Sequence, residues 1–213
     1  MLALADSRLP VGGHVHSGGV EQAIADGSVR SIPALRDFLV RRMSTAGLVS
    51  ASICAAVADG RLSVERAHRE TDARTPSPSA RAASMVQGRG MLRLARRVWP
   101  ERPGAGPRQA DWSVYPVRPH LPVIAGGVAA VTGLDARQAA LVLVYTTMTG
   151  SATAGQRLLA ADPGDIAVLT FELAPLCEQI AARAAAELAD LSDPLFDVLA
   201  ERHQRREIPL FAS

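Results

Sequence analysis

The stretch Ser31-Ile-Pro33-Ala-Leu35-Arg36-Asp37-Phe-Leu39-Val-Arg41-Arg42-Met43-Ser-Thr-Ala46 decides the class of fold. Leu35, Leu39, Met43 and Ala46 recur at helical spacing, while Arg36, Asp37, Arg41 and Arg42 fall elsewhere. That is an amphipathic helix with one buried face. Ser31 supplies an oxygen for its N-cap, and Pro33 suits its first turn. Gly47 is expected to bend or split the helix before the wholly apolar run Leu48–Ala58.

The same signals recur on both sides of this stretch. Upstream, Pro10, Gly12 and Gly13 predict an irregular segment, followed by a short helix over Ser17–Asp26, capped by Ser17 and stopped at Gly27. Downstream, Ser63 caps a polar helix reaching about Ala73, and Thr75-Pro-Ser-Pro78 breaks the chain and starts another. Ala80–Val98 is strongly basic, carrying Arg81, Arg89, Arg93, Arg96 and Arg97. Residues 99–119 hold Pro100, Pro103, Pro107, Pro116 and Pro119, predicting an extended loop that is mobile or held by a partner. Helices resume at Leu121–Thr132 and after Asp135, which forms a capping box with Gln138. Gly150–Arg157 is dense in small residues, a candidate packing or dimer seam. Asp162-Pro163 and Asp193-Pro194 each open a further helix. The expected fold is all-α: one helical-bundle domain over residues 1–213, with about eight to ten helices and a Pro/Gly-rich insertion at 99–119.

Composition narrows the chemistry. The 213 residues are 48 % hydrophobic and only 4 % aromatic, which suits helix packing. All 23 basic residues are arginine; lysine and asparagine are absent. Phosphate-loop, Schiff-base and general-base lysines are therefore excluded. No run approaches the ~18 apolar residues of a membrane span, and the start lacks the layout of a signal peptide. A cytoplasmic protein is expected. Cys54 and Cys177 stand far apart on helix faces and read as buried free thiols.

Candidate reactive constellations fail in turn. His14 and His16 form an H-x-H pair that is a weak metal candidate, with Asp6 and Glu21 as the nearest carboxylates and no further histidine or cysteine nearby. Ser17 has valine, not glycine, two residues before it, so it is no nucleophile elbow. Gly13 and Gly18 have phosphate-loop spacing, but Gly19 and Val20 occupy the positions of the lysine and hydroxyl residue. Glu21, Glu65, Glu70 and Asp72 show no pairing by spacing. The Arg81–Arg97 face admits a helical nucleic-acid-binding or regulatory protein as an alternative, although no stacking aromatic precedes Trp99. A solvated face or a dock for an acidic protein reads better. No catalytic residue and no enzyme activity is expected.

The string Leu4-Ala-Asp6-Ser7-Arg-Leu9-Pro10-Val-Gly12-Gly13-His14-Val-His16-Ser17-Gly-Gly19-Val-Glu21 resembles the N-terminal signature of the urease accessory protein F family. Gln87-Gly88-Arg89-Gly90-Met-Leu-Arg93-Leu resembles that family's mid-chain basic helix. His120-Leu-Pro122-Val, Ser151–Leu159 with Arg157-Leu158, and the tail His203…Arg205-Arg206…Leu210-Phe211-Ala-Ser213 are similar to its later segments, in order. The flavour is actinobacterial. The chain departs from the pattern at Pro209, where many relatives carry arginine, at Gly155-Gln156, and in the length of the 99–119 loop. It opens abruptly on the motif, which points to a start codon upstream.

The resemblance implies an all-helical homodimer that binds accessory protein D (H in some organisms) and recruits the nickel-carrying GTPase, accessory protein G. The assembly docks on apo-urease, delivers nickel and regulates GTP hydrolysis. Nickel and GTP are then handled by partners, with no cofactor on this chain, no membrane and no nucleic acid. The residues it nominates for partner contact are Pro10, Gly12, Gly13, His16, Ser17, Glu21, Arg89, Arg93, Arg157, Arg205, Arg206, Leu210 and Phe211. Leu210 and Phe211 are expected to engage the D-type partner.

Overall fold

The computed structural model describes residues 2–6, 9, 16–101, 111–190, 193–206 and 209–211. Among them lie nine α-helices and no strand, so the all-α reading holds. They are α1 (Val20–Ala25), α2 (Ile32–Arg42), α3 (Leu48–Ala58), α4 (Val64–Ala73), α5 (Pro78–Val98), α6 (Leu121–Val131), α7 (Ala136–Leu159), α8 (Pro163–Ala186) and α9 (Pro194–His203). No helix is long and apolar enough to cross a membrane, among the described residues.

Local chemistry sets most starts. The side chains of Ser31, Ser63, Ser77, Asp135, Asp162 and Asp193 each accept a backbone N–H in the first turn of the following helix. Asp135 and Gln138 form the reciprocal box, at 2.8 and 3.1 Å. Two expectations need correction. Gly47 does not break the chain: Met43–Gly47 forms a π turn that carries α2 directly into α3. A Cβ at Gly47 would lie 3.2 Å from the Arg42 carbonyl oxygen, so the turn closes on a residue without one.

The other correction concerns the 99–119 loop. Residues 102–110 fall outside the described residues, but Trp112 and Tyr115 are buried, with ring centroids 5.9 Å apart. The Trp112 indole N–H donates to the Trp99 carbonyl at 2.7 Å, and its backbone N–H donates to Glu101 at 2.8 Å. Both rings join Met91 and Leu92 of α5 and Val123, Ile124 and Val128 of α6 in one apolar cluster.

α3 is the wall shared by the cores. Leu48, Ala51 and Ala55 join α1, α2, α7, α8 and α9 in the larger core. Val49, Ile53, Ala56 and Val57 face α4, α5 and α6 in the second, which also takes Trp112 and Tyr115. Cys54 meets Ala129, Ala139 and Leu143 in a third cluster. Gly126 lets α6 approach closely, since a Cβ there would stand 2.6 Å from the Cys54 carbonyl oxygen. Both thiols are free and buried, and burial pushes Cys54 up to about 12 and Cys177 up to about 11. They are packing residues, not nucleophiles.

Candidate partner-docking site

The two ends of the described chain meet at one carboxylate. Glu21, in the first turn of α1, is 2 % exposed and reaches across to α9 and the tail beyond it. His203 Nε2 lies 2.8 Å from its Oε2. A carboxylate only accepts, so Nε2 carries the proton. The backbone N–H of Leu210 donates to Oε1 at 2.8 Å and that of Phe211 to Oε2 at 3.0 Å. Arg206 Nη2 stands 3.9 Å away. Burial alone would raise the Glu21 carboxyl, but these three donors outweigh it and hold it below the usual value. Glu21 is thus an ionised hub that holds the tail, a contact that nothing in its local sequence marks.

The hub fixes the tail backbone and leaves the Leu210 side chain at the surface. Leu210 is 76 % exposed, whereas Phe211 is half-buried and lines an internal groove of about 300 Å³ with His16, Gly18 and Gly19. Arg202 on α9 pairs with Asp26 at 3.1 Å, and Asp26 also accepts from Gln22 at 2.8 Å. Arg41 grips Asp193 through two bonds of 2.5 and 2.9 Å, securing the start of α9 to α2.

Ser17 does not cap α1. The cap is Gly19, at φ 92°, with no side-chain bond, and Gly18 before it has φ 62°. Two left-handed residues in succession swing the chain into the helix, a turn that glycine takes without strain. The Ser17 hydroxyl is buried and has no hydrogen-bond partner among the described residues.

The structure therefore gathers Glu21, Arg206, Leu210 and Phe211 at one place, with His16 along the same groove. Pro10, Gly12, Gly13 and His14 lie outside the described residues. Arg89 and Arg93 are exposed on α5, Arg157 is exposed in the last turn of α7, and Arg205 is exposed just beyond α9. Of the basic helix, Arg81 donates to the carbonyls of Thr75 and Pro76, and Arg96 to that of Trp112. The small-residue segment of α7 serves internal packing: a Cβ at Gly155 would stand 2.7 Å from Leu35. No three His, Cys, Asp or Glu side chains among the described residues are placed to hold a metal ion.

Sequence reasoning missed a second polar cluster. His120, 1 % exposed, places Nε2 3.1 Å from Asp72 and Nδ1 3.1 Å from the Ser84 hydroxyl. Ser84 also accepts the Leu121 backbone N–H at 3.1 Å. His68 lies beside His120, with ring centroids 5.3 Å apart. Burial, opposed by Asp72, lowers both imidazoles below the usual value, so both are neutral near pH 7. Gly88 makes room for this cluster, because a Cβ there would run into the Pro119 carbonyl. The only sequence signal was a histidine just before Leu121-Pro122.

The sequence model of the UreF family matches residues 29–174. Over the whole chain the sequence is 64 % identical to the urease accessory protein UreF of Mycobacterium sp. (strain JLS), covering 97 % of that protein. It is 60 % identical to the UreF of Mycolicibacterium vanbaalenii and 59 % to that of Mycobacterium tuberculosis H37Rv, again over the whole chain and 97 % of each relative. These matches extend past the family segment to take in Glu21 and the tail it holds. None of these relatives carries a name that supports the nucleic-acid reading of α5. The chain belongs to the UreF family of urease accessory proteins.

Proposed function

We propose that the chain is a non-catalytic scaffold of urease maturation. In this reading it joins the D/H-type accessory protein to the nickel-carrying GTPase of the G type, presents them to apo-urease, and regulates GTP hydrolysis by its partner. It works in the cytoplasm as a homodimer, and nickel and GTP sit on the partners. The observation that carries the reading is the tail: Leu210 projects at 76 % exposure from a backbone held by the buried Glu21 carboxylate. An apolar side chain offered to solvent on a fixed backbone loses little entropy on docking, which suits a protein contact. Arg89, Arg93, Arg157 and Arg205 are further exposed cations for that assembly.

The test is co-purification of the tagged chain with the D- and G-type proteins, followed by urease activation in cells lacking the endogenous copy. L210A/F211A is expected to abolish complex formation while the circular dichroism and melting of the isolated chain stay close to wild type. Unchanged co-purification by that variant would refute the tail as the docking element.

A further inference from the structure

The side chain of Arg42, at the end of α2, has no hydrogen bond and no ion pair among the described residues, and its Nε is sealed from solvent. Its guanidinium stacks 5.5 Å from the Phe196 ring centroid and lines the same groove as Phe211. Gly18 faces it: a Cβ there would lie 2.7 Å from the guanidinium carbon and 2.8 Å from the Ser151 hydroxyl. Ser17, next in the chain, has a buried hydroxyl without a partner among the described residues. Sealing the Arg42 Nε–H from water without an acceptor is costly, although the side chain as a whole is only half-buried. Burial lowers Arg42 to about 10, so it still carries its charge at neutral pH.

We infer that Arg42, with the Ser151 hydroxyl and the close turn at Gly18, is a binding site for a single carboxylate group entering the groove. A planar carboxylate matches the guanidinium fork. The charge count favours a monoanion. Asp6, Asp193 and Asp197 line the same groove, and its other cation, Arg74, is engaged by Glu70 and Asp190. Asp193 is engaged by Arg41 and Asp197 accepts the Ser77 backbone N–H, so Arg42 is left as one cation without a partner among the described residues, which suits one negative charge and disfavours a phosphate dianion. The carboxylate has two sources, a free small monocarboxylate or an Asp or Glu side chain of a docked protein. The site stands apart from the scaffold reading, because the isolated chain is enough to test it.

The test follows the Arg42 Nε–H resonance by ¹⁵N NMR during titration with sodium acetate, sodium phosphate and N-acetyl-glutamate amide, each at constant ionic strength. Acetate and the glutamate amide are expected to shift the resonance saturably, and phosphate less. Melting-temperature shifts should give the same order, with acetate affinity falling at least about tenfold in R42M, the loss of one charge-assisted fork. R42M should fold, since an apolar side chain replaces a half-buried cation that has no partner among the described residues. Tighter binding of the glutamate amide than of acetate assigns the site to a protein side chain; equal or tighter acetate binding assigns it to a free small acid. A resonance that no carboxylate moves, a preference for phosphate, or equal acetate binding by R42M would overturn the inference.

Discussion

Two buried histidines in this molecule each face a carboxylate, and the two pairs do opposite kinds of work. At the α1–α9 junction, His203 and Glu21 are both sealed, with side chains 3 % and 2 % exposed. At the α4–α6 junction, His120 is sealed but Asp72 is 56 % exposed. The first pair buries a charge and surrounds it with donors, joining segments some 190 residues apart. The second keeps its histidine neutral and its carboxylate in contact with water. A buried ionised hub is indispensable once built, because removing it strands every donor around it; a half-exposed partner is replaceable by solvent.

The most severe way to test the contrast is Glu21→Ala. It should cost about 3–5 kcal/mol in urea denaturation and release the Leu210 and Phe211 amides to hydrogen exchange. A loss under about 1 kcal/mol would mean that solvent satisfies the hub as readily as the protein does. Next in size is Gly88→Ala, expected to cost about 2 kcal/mol by forcing α5 away from the Pro119–His120 backbone. Exchange should accelerate at Leu121 in that variant and leave Leu210 unmoved.

Acid should separate the two junctions without any substitution. The fold lowers His68 and His120 below their usual 6.5, so below that pH the unfolded chain binds more protons and stability falls. Arg81 and the neighbouring imidazole oppose charging of this pair, and Asp72 alone favours it. Glu21 is lowered below its usual 4.5, so its contribution is complete above that pH and is lost only as acid takes it lower. Between about pH 7 and about pH 5.5, hydrogen exchange should rise at the α4–α6 junction while the tail amides keep their protection. Equal loosening of both would erase the distinction. The smallest effect is expected from Asp72→Asn, under about 1 kcal/mol, since the amide still accepts from His120 and the site is wet.

What could be read in advance follows distance along the chain. Ser31, Ser63, Ser77, Asp135, Asp162 and Asp193 cap helices through residues two or three positions on, so their roles were legible. Asp193 also shows the limit: its cap was visible, but its ion pair with Arg41, 152 residues away, was not. Glu21 was marked by resemblance alone, since nothing local says that a first-turn acid will accept the amides of the tail. Trp112 and Tyr115 were hidden inside a proline-rich loop, because composition reports flexibility and not which two rings a neighbouring core takes in. Ser17 misled for a related reason: a hydroxyl before a helix is the usual cap, but the double left-handed turn at Gly18 and Gly19 displaces it.

The Glu21 hub also has a consequence for the ribosome. At the ordinary pace of synthesis, the partners at residues 203–211 emerge about 10–40 s after the carboxylate that awaits them. Throughout that interval α1 cannot close over Glu21 without burying a bare charge, so the first helix stays unsettled until the tail is made. A product cut short before His203 would carry that defect permanently, and a quality-control protease could recognise it by the loose end it leaves.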